Sequence, residues 1–426
     1  MKRITTIVGA GAVLDFDYSY NGNKKPTTAY ITDSVKDLKV ERIDHQESDL
    51  INKVYNMVVD EMTSVYRKRN LRKEYVLNFE ELYFLTESLL SYTETDIEYF
   101  DPYGRAPLTA LLSIKEELVP YSHVEYSRAL GKISRRITDI IDQYDTHFRQ
   151  YPQSEQWYRI FWQGEDESKF DIFTFNYDTT IEQSIGDYED GFELIENNPD
   201  GIYAFNPSKL LQNTKDLSTI QHLHGCIYYS GCKPIECDKT HSNWDMFKTK
   251  CLQDALNLSI GYYQGNKTQD REFYYNSPIL VGLRKLDKMT FMPSSIYHAN
   301  LVRTLMQNRG LLIVGYSFGD LYVNQLLQRR LLMAGDDHRL IIIDAFPKYV
   351  NSALSLRSYM YDKMGKMLNF LEPFLRFSFD DNFKVQGVDF TSYYDPIYSE
   401  DRKCMLFICG FKQAVERHSD LILNFL

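Results

Sequence analysis

The stretch 171–182, DIFTFNYDTTIE, constrains this chain more than any other. Its first half is apolar and aromatic, which predicts a short buried strand. The chain then breaks into Asn-Tyr-Asp, and Thr179 or Thr180 is predicted to open a helix. Because ligands of open parallel sheets bind where strands end, Asn176 and Asp178 are candidates for one edge of a site. Taken alone, the better interpretation is that Asp178 caps the helix, but three other stretches point to the same edge.

The first of these stretches follows the first predicted strand. Residues 3–8 are β-branched and apolar, and directly after them come Gly9, Ala10, Gly11 and Ala12. Glycines at a strand-to-helix turn let a phosphate approach backbone N–H groups. A full dinucleotide fingerprint needs a third glycine where this chain has Leu14, so a tight structural turn explains the motif nearly as well. Asp15 adds a carboxylate near the mouth of the site, or it is simply solvated.

The second stretch is an apolar alternation, Ile220-Gln221-His222-Leu223-His224-Gly225. A histidine at a strand end, followed by a glycine that keeps the space clear, suits a general base. The alternative is a hydrogen-bonded histidine of the core. We prefer that alternative for His222 and the functional interpretation for His224.

The third stretch begins with the apolar residues 311–314, which lead into a glycine turn and a helix start. There we expect contacts with phosphate or ribose from Gly315, Tyr316, Ser317, Asp320 and Asn324. Residues 340–343 repeat the pattern and end in Asp344, and an acidic residue at a strand end often holds ribose hydroxyls. Residues 278–282 are predicted to form one more buried strand.

The order of these elements predicts an α/β fold, a Rossmann-like doubly wound parallel sheet with a large helical insertion and a C-terminal α+β extension. Residues 1–30 and 165–345 are expected to form a discontinuous core that carries the four motifs, with residues 31–164 as the helical insertion and 346–426 as the extension. Within the insertion, the periodicity of apolar residues predicts a helix at 50–65. A capping box, Asn78 with Glu81, predicts the start of another. Two amphipathic segments, 108–119 and 124–141, predict two more.

Composition limits the class of protein. The 426 residues, 43% hydrophobic and 25% charged, are typical of a soluble globular protein of one large domain or two to three smaller ones. The net charge of -11 argues against direct nucleic-acid binding, which needs a basic field. No run is long and apolar enough to span a bilayer, so no membrane association is expected and we predict a cytoplasmic location.

Six cysteines are present, and none forms a CxxC pair: Cys226, Cys232, Cys237, Cys251, Cys404 and Cys409. In a long chain without a secretory signal they are interpreted as reduced thiols. The irregular spacing of the first four cysteines does not match the usual spacing of zinc-binding cysteines. We therefore expect no metal.

Together, the four motifs resemble the sirtuin superfamily. Gly9-Ala10-Gly11 is similar to its phosphate loop, Phe175-Asn176-Tyr177-Asp178 to its Asn-x-Asp motif, His224-Gly225 to its catalytic His-Gly, and Gly315-Tyr316-Ser317 to its later Gly-x-Ser. The order along the chain agrees. The resemblance is strongest to the sirtuin-like NAD hydrolases of bacterial anti-phage defence, in which Phe-Asn-Tyr-Asp and Gly-Tyr-Ser-Phe-Gly-Asp are typical.

The segment Pro26-Thr27-Thr28 is similar to a branch of those hydrolases that works beside a HerA-type ATPase. This similarity makes Thr28 a candidate binding residue and the ATPase a candidate partner. The resemblance also implies NAD as the substrate, with Asn176 orienting water or ribose, His224 accepting a proton and Asp178 contacting the nicotinamide end.

The chain departs from sirtuin deacylases in two respects. Those enzymes carry a four-cysteine zinc ribbon after the His-Gly, and they commonly have Ser at the position of Val13. Three classes nevertheless stay open: an NAD hydrolase, a deacylase or ADP-ribosyltransferase, and a non-catalytic nucleotide-sensing scaffold. The sequence does not decide between NAD and NADP.

Aromatic residues are abundant, with 33 Tyr and 25 Phe, and such residues are favoured at protein interfaces. We expect a homo-oligomer whose contacts use the insertion or the C-terminal tail. The alternative is that the insertion only covers the site of a monomer.

Overall fold

A computed structural model gives the fold of most of the chain. The described residues are 2–18, 25–68, 75–93, 121–164, 168–195, 201–211, 216–232, 245–258, 265–267, 273–275, 279–282, 289, 292–333, 337–348, 393–399 and 401–426.

Sixteen strands occur in this part of the chain. They are β1 Lys2–Val8, β2 Val40–Glu41, β3 Glu47–Ser48, β4 Ser168–Thr174, β5 Tyr188–Glu189, β6 Phe192–Leu194, β7 Tyr203–Phe205, β8 Ser218–His222, β9 Tyr229–Cys232, β10 Asp245–Lys248, β11 Gly265–Lys267, β12 Phe273–Tyr275, β13 Gly310–Val314, β14 Arg339–Ile343, β15 Ile397–Tyr398 and β16 Cys404–Phe407.

The described residues also form ten α-helices and a 3₁₀ turn at Ala10–Val13. The helices are α1 Thr28–Val35, α2 Leu50–Lys68, α3 Phe79–Thr93, α4 His123–Gln150, α5 Gln156–Gln163, α6 Pro207–Leu211, α7 Leu252–Leu258, α8 Ser294–Gln307, α9 Leu321–Met333 and α10 Phe411–Phe425. None of these helices has the length and the apolar character needed to cross a membrane.

The centre of the fold is an eight-stranded sheet in the order β15-β16-β14-β13-β1-β4-β8-β5. All neighbours in it are parallel except β15 and β16. The chain winds outward from β1 through β4 to β8, then returns to the other side of β1 and winds outward again through β13, β14 and β16. This reversal between β1 and β13 is the switch point at which doubly wound sheets bind ligands. The Rossmann-like α/β fold predicted from the sequence is confirmed.

The central strands are largely apolar, as expected for a sheet that is buried on both faces. Every residue of β13 is buried, as are all but the first residue of β14 and the first two of β1. Parallel strands buried on both faces have near-continuous hydrophobic sequences, which is the pattern of residues 311–314 and 340–343. A smaller antiparallel sheet has the strand order β6-β7-β10-β9, and its strands lie between residues 192 and 248 of the chain.

The helices α1 to α5 lie in the chain between β1 and β4, although these two strands are direct neighbours with Val8 opposite Thr174. The predicted capping box is present, because Asn78 Oδ1 accepts from the N–H of Glu81 and Glu81 Oε2 accepts from the N–H of Asn78. A second capping box, Ser122 with Glu125, begins α4. The amphipathic segment predicted at 108–119 lies outside the described residues.

Two local predictions are wrong. The helix expected after Asp178 is a turn at residues 180–184 that leads into the edge strand β5. The strand expected at 278–282 is reduced to a single antiparallel bridge between Ile279 and Gly225, with residue 278 outside the described part. In the second segment Ile279, Leu280 and Val281 are buried, so its apolar sequence reports burial and not a regular strand.

The C-terminal residues extend the main sheet. β16 pairs with β14, and α10 packs against α5, where Phe411 lies in an aromatic cluster with Trp157, Phe161 and Trp162. All four residues of β16 are buried.

Candidate functional site

Four parallel strands end in one row at the carboxyl edge of the sheet. Their last paired residues are Val314, Val8, Thr174 and His222. Two positions further along each chain come Tyr316, Ala10, Asn176 and His224. The four motifs found in the sequence are therefore brought to one edge by strand register. We call this set of residues the strand-end row.

The glycine turns after β1 and β13 pack against each other, backbone to backbone. The N–H of Gly11 donates to the carbonyl of Gly315 at 3.0 Å, and the N–H of Gly9 donates to the carbonyl of Val314 at 2.9 Å. A Cβ on Gly11 would lie 2.6 Å from the Gly315 Cα, and one on Gly9 would lie 2.5 Å from the Gly315 oxygen. Gly315 itself has a φ of 57°. These glycines are thus required by their own packing, whatever ligand they also serve.

Asn176 is held through its backbone and leaves its side chain available. Its N–H donates to Thr174 Oγ1 at 3.0 Å, and its carbonyl accepts from His222 Nδ1 at 2.9 Å. Asn176 is buried, and no hydrogen bond within the described residues involves its side-chain amide. A fixed backbone with an uncommitted amide beside the strand ends is suited to binding a ligand or a water.

His222 is the core histidine that the sequence predicted. It is 1% exposed, and its Nε2 lies 2.7 Å from Glu182 Oε1. Burial favours a lower pKa for His222, but the charge of Glu182 and the hydrogen bond to it outweigh burial and raise that pKa. For Glu182, burial is likewise outweighed by His222, so the carboxyl pKa is lowered. The two form a buried ion pair, and Lys248 lies 3.8 Å from the same carboxylate.

His224 lies in the turn after β8 and pairs with an acidic residue of another element. Its Nε2 is 3.4 Å from Asp320 Oδ2, and both side chains are largely buried. Its ring meets Phe175 edge to face, with centroids 4.7 Å apart. Phe175 in turn stacks on Tyr316 at 4.8 Å. An imidazole with a carboxylate behind it and aromatic walls around it is a suitable proton acceptor.

The turn after β13 is held by its own side chains. Tyr316 donates to the carbonyl of Asp320 at 3.2 Å, and its hydroxyl is also 3.3 Å from Asn324 Oδ1. Asn324 donates to the carbonyl of Phe318 at 2.8 Å, which fixes a non-glycine residue at a φ of 53°. Asp320 Oδ1 accepts from the N–H of Val323 and caps α9. Ser317 is exposed at the tip of this turn.

Asp178 is fully engaged by protein groups. One oxygen accepts from the N–H of Thr180 at 3.0 Å and from the Thr180 hydroxyl at 2.5 Å, and the other accepts from the Tyr144 hydroxyl of α4. The carboxylate is 3% exposed. These contacts stabilise the turn after β4, and the role of Asp178 at the nicotinamide end stays a prediction.

A buried carboxylate of α4 supports the same turn and was not found by sequence reasoning. Asp145 is fully buried and accepts from the N–H of Thr179 at 2.6 Å and from the Tyr228 hydroxyl at 2.7 Å. Burial, helped by the charge of Asp178, raises the pKa of Asp145 to about 6. In the sequence nothing distinguishes Asp145 from the other charged residues of this helix.

Asp15 and Asp344 meet at the start of α10. Asp15 Oδ2 accepts from the N–H of Lys412 at 3.1 Å, and the carbonyl of Asp344 accepts from the N–H of Gly410 at 3.1 Å. Burial, with a contribution from the charge of Asp15, raises the pKa of Asp344 to about 6. Asp15 thus contacts the C-terminal helix as well as following the glycine turn.

Thr28 is the exposed first residue of α1, where Thr27 provides the cap. Its carbonyl accepts from the Thr32 hydroxyl at 2.7 Å. None of its hydrogen bonds within the described part of the chain reaches the strand-end row. Its role as a binding residue stays a prediction.

No cluster of three or more His, Cys, Asp or Glu side chains with metal-binding geometry occurs among the described residues. Cys226, Cys251, Cys404 and Cys409 are free thiols there, and the side chains of Cys232 and Cys237 lie outside the described part. The predicted lack of a structural metal stays a prediction.

The strand-end row offers groups suited to a dinucleotide. It combines glycine turns at a switch point, an uncommitted amide on Asn176 and an imidazole backed by Asp320. Three N–H groups of the first turn are already used: those of Gly9, Gly11 and Ala12 donate to the carbonyls of Val314, Gly315 and Gly9. Phosphate recognition would therefore depend on other N–H groups of the two turns.

Comparison with known proteins gives a match to one family model. No curated protein matches the chain. A family model does match, over residues 171–361, which include Asn176, His224 and the turn after β13. The glycine turn after β1 lies outside the matched residues and joins them through strand pairing. Proteins of the matched family are generally NAD-dependent enzymes, and the family that residues 171–361 resemble is described as the SIR2-like domain.

Proposed function

We propose that this protein is an NAD⁺ hydrolase that cleaves the nicotinamide–ribose bond. One observation supports the proposal most: Asn176 and His224 each follow by two positions the last paired residues, Thr174 and His222, of the neighbouring strands β4 and β8. Their side chains differ in kind, since one offers an uncommitted amide and the other an imidazole paired with Asp320. Such a pair can position a water and accept its proton.

The reaction needs little acid catalysis. The bond from ribose C1′ to the pyridinium nitrogen breaks, its electron pair neutralises the ring, and nicotinamide leaves. Water forms the new bond to C1′ and loses a proton, so the products are nicotinamide, ADP-ribose and H⁺. The transition state resembles an oxocarbenium ion, as in glycoside cleavage. Positioning of ribose and water is therefore the main contribution expected from the protein.

Each residue of the pair has a separate task in this scheme. Asn176 orients the water or the ribose, because its backbone is fixed by Thr174 and His222. His224 accepts the proton, and Asp320 stabilises the imidazolium that results. Asp178 holds the turn that carries Asn176 in place.

Incubation with NAD alone tests this function. Release of nicotinamide without any acylated peptide supports hydrolysis. A strict requirement for an acyl-peptide would show a deacylase instead, and transfer of ADP-ribose to protein would show a transferase. Binding without turnover would identify a nucleotide-sensing scaffold. The same assay with NADP in place of NAD measures the preference between the two dinucleotides.

The biological setting is a further part of the proposal. Supported by the motif resemblance described above, we propose that the hydrolase depletes NAD in anti-phage defence in the cytoplasm, under the control of a HerA-type ATPase. An enzyme that destroys NAD must be restrained in an uninfected cell. Equal NAD turnover with and without an ATPase encoded beside this gene would contradict the partner.

Self-assembly is proposed on the aromatic content and the size of the insertion. The expected contacts are made by the insertion or the C-terminal tail, with no direct binding of nucleic acid. Light scattering on the purified chain tests the proposal. A monomer throughout the micromolar range would contradict it.

A further inference from the structure

In addition to His222 and His224, a third buried histidine, His298, lies near the proposed site. His298 is 6% exposed, and neither of its ring nitrogens has a hydrogen bond of good geometry within the described part of the chain, although the backbone of Leu223 is close enough to interact with the ring. Buried polar groups are nearly always hydrogen-bonded, so an unpartnered one requires an explanation. His222, by contrast, has partners for both nitrogens.

The position of His298 follows from the direction of α8. Towards the C-terminus of this helix, the carbonyl of Thr304 accepts from the hydroxyl of Thr5 in the middle of β1. Nearer to His298, the side-chain amide of Asn300 donates to that of Gln221 in β8 at 3.1 Å. His298 is therefore closer to the carboxyl edge of the sheet than Gln221. Its surroundings agree, because the backbone of Leu223 and the charge of Asp320 both influence its pKa.

His298 thus lies between the first turns of α8 and α9. Its ring is 5.6 Å from the ring of Tyr322, in the first turn of α9. Asp320, which caps α9, is the same residue that pairs with His224. The two histidines therefore approach one carboxylate from two different elements.

The ring of His298 is neutral at physiological pH. Burial lowers its pKa to about 4, although the carboxylate of Asp320 opposes the shift. A neutral imidazole has one nitrogen that donates and one that accepts. It matches a ligand group that can do both, such as a hydroxyl or a carboxamide.

We propose that His298 is a further substrate-recognition residue, which hydrogen-bonds a ribose hydroxyl or the carboxamide of NAD beside the His224–Asp320 pair. The proposal rests on the proposed function, because it takes NAD as the ligand. It also explains why an unpartnered imidazole is kept in a buried position: the apo protein lacks a hydrogen bond that the substrate supplies.

The His298→Leu variant tests this role, because leucine fills the space without polar atoms. Removing an unsatisfied polar group should leave the melting temperature of the apo protein unchanged or higher. Loss of the substrate hydrogen bond should raise KM for NAD about tenfold. His298→Asn keeps a donor and an acceptor and should restore part of the affinity.

Binding of ADP-ribose separates the two ligand groups. ADP-ribose keeps the ribose hydroxyls and lacks the carboxamide. If His298 binds a hydroxyl, the Kd of ADP-ribose should also rise about tenfold in His298→Leu. If it binds the carboxamide, that Kd should stay at the native value while KM for NAD rises.

A matched control is His222→Leu, which removes a buried histidine with two partners and should lower the melting temperature. A native KM and a native ADP-ribose Kd in His298→Leu would overturn the recognition role, and so would a lowered melting temperature with KM unchanged. Neither result would affect the proposed function. Native protein that neither cleaves nor binds NAD would overturn both.

Discussion

The backbone carbonyl of Asn176 accepts a hydrogen bond of 2.9 Å from Nδ1 of His222. This contact ties the end of β4 to the end of β8, two strands whose last paired residues are Thr174 and His222. The other ring nitrogen of His222 faces Glu182 at 2.7 Å, so the ring is fixed at both ends. His222 therefore acts as a support for the site, and its rigidity preorganises the Asn176 amide.

The first prediction concerns the two proposed catalytic residues. Asn176→Ala and His224→Ala should each reduce NAD cleavage at least about 100-fold, the effect expected when a positioned proton acceptor or its water is lost. Their folds should survive, since the main chain around Asn176 is held by Thr174 and His222. Release of nicotinamide measures activity, and far-ultraviolet circular dichroism measures folding.

His123→Ala is the control for these variants, because His123 is exposed at the start of α4. It should cleave NAD at the native rate. A folded Asn176→Ala or His224→Ala protein with near-native turnover would remove that residue from the mechanism.

The second prediction separates two roles of Asp320. Its Oδ2 faces His224, and its Oδ1 caps α9 through the N–H of Val323. Asp320→Asn removes the charge but keeps a good capping group, so stability should stay near native while turnover falls. Asp320→Ala removes both and should also lose about 1 kcal/mol of stability.

Urea unfolding and nicotinamide release, measured on both Asp320 variants, distinguish the roles. Native turnover in Asp320→Asn would show that the carboxylate is only a helix cap. Equal stability of the two variants would show that the cap contributes little.

The strand-end row could be predicted from the sequence because it depends on local signals. Each strand is a short apolar run, and each motif follows its strand directly. Parallel strands present their carboxyl ends at one edge, so residues such as Asn176 and His224 were placed together without knowledge of the register. The same logic found Gly11 and Gly315, although their mutual contact was not foreseen.

The contacts that hold the strand-end row in place could not be predicted, because they are made by residues distant in sequence. Tyr144 and Asp178 are 34 positions apart, as are Asp145 and Thr179. A helix pattern identifies the buried face of α4, but it does not reveal that a carboxylate on it is fully buried. In the turn after Asp178, which was predicted as a helix, the N–H of Thr179 likewise bonds across to Asp145 of α4.

The third prediction concerns the contact between the two glycine turns. In Gly11→Ala the new methyl group would lie 2.6 Å from the Cα of Gly315, so the backbone must shift. We expect a loss of about 1 to 3 kcal/mol in the free energy of unfolding, together with weaker NAD binding. Gly186→Ala is the control, since a Cβ there meets nothing within 4 Å. Equal stability of the two variants would contradict close packing of the turns.

The last prediction concerns pH and the buried carboxyl of Asp145. Its pKa is about 6 in the folded protein, raised by burial and by Asp178, and about 3.9 in an unfolded chain. The folded state therefore binds this proton more tightly, and the stability that the group contributes is complete below about pH 4 and lost as the pH rises through about 6.

Asp145→Asn removes this pH dependence. The free energy of unfolding of the native protein, minus that of the variant, should fall by at most about 3 kcal/mol from pH 4 to pH 7. Urea unfolding at several pH values measures it, with the exposed Asp33→Asn as a control whose difference stays within about 0.5 kcal/mol. A difference for Asp145→Asn that does not change with pH would show that this carboxyl titrates as it does in the unfolded chain.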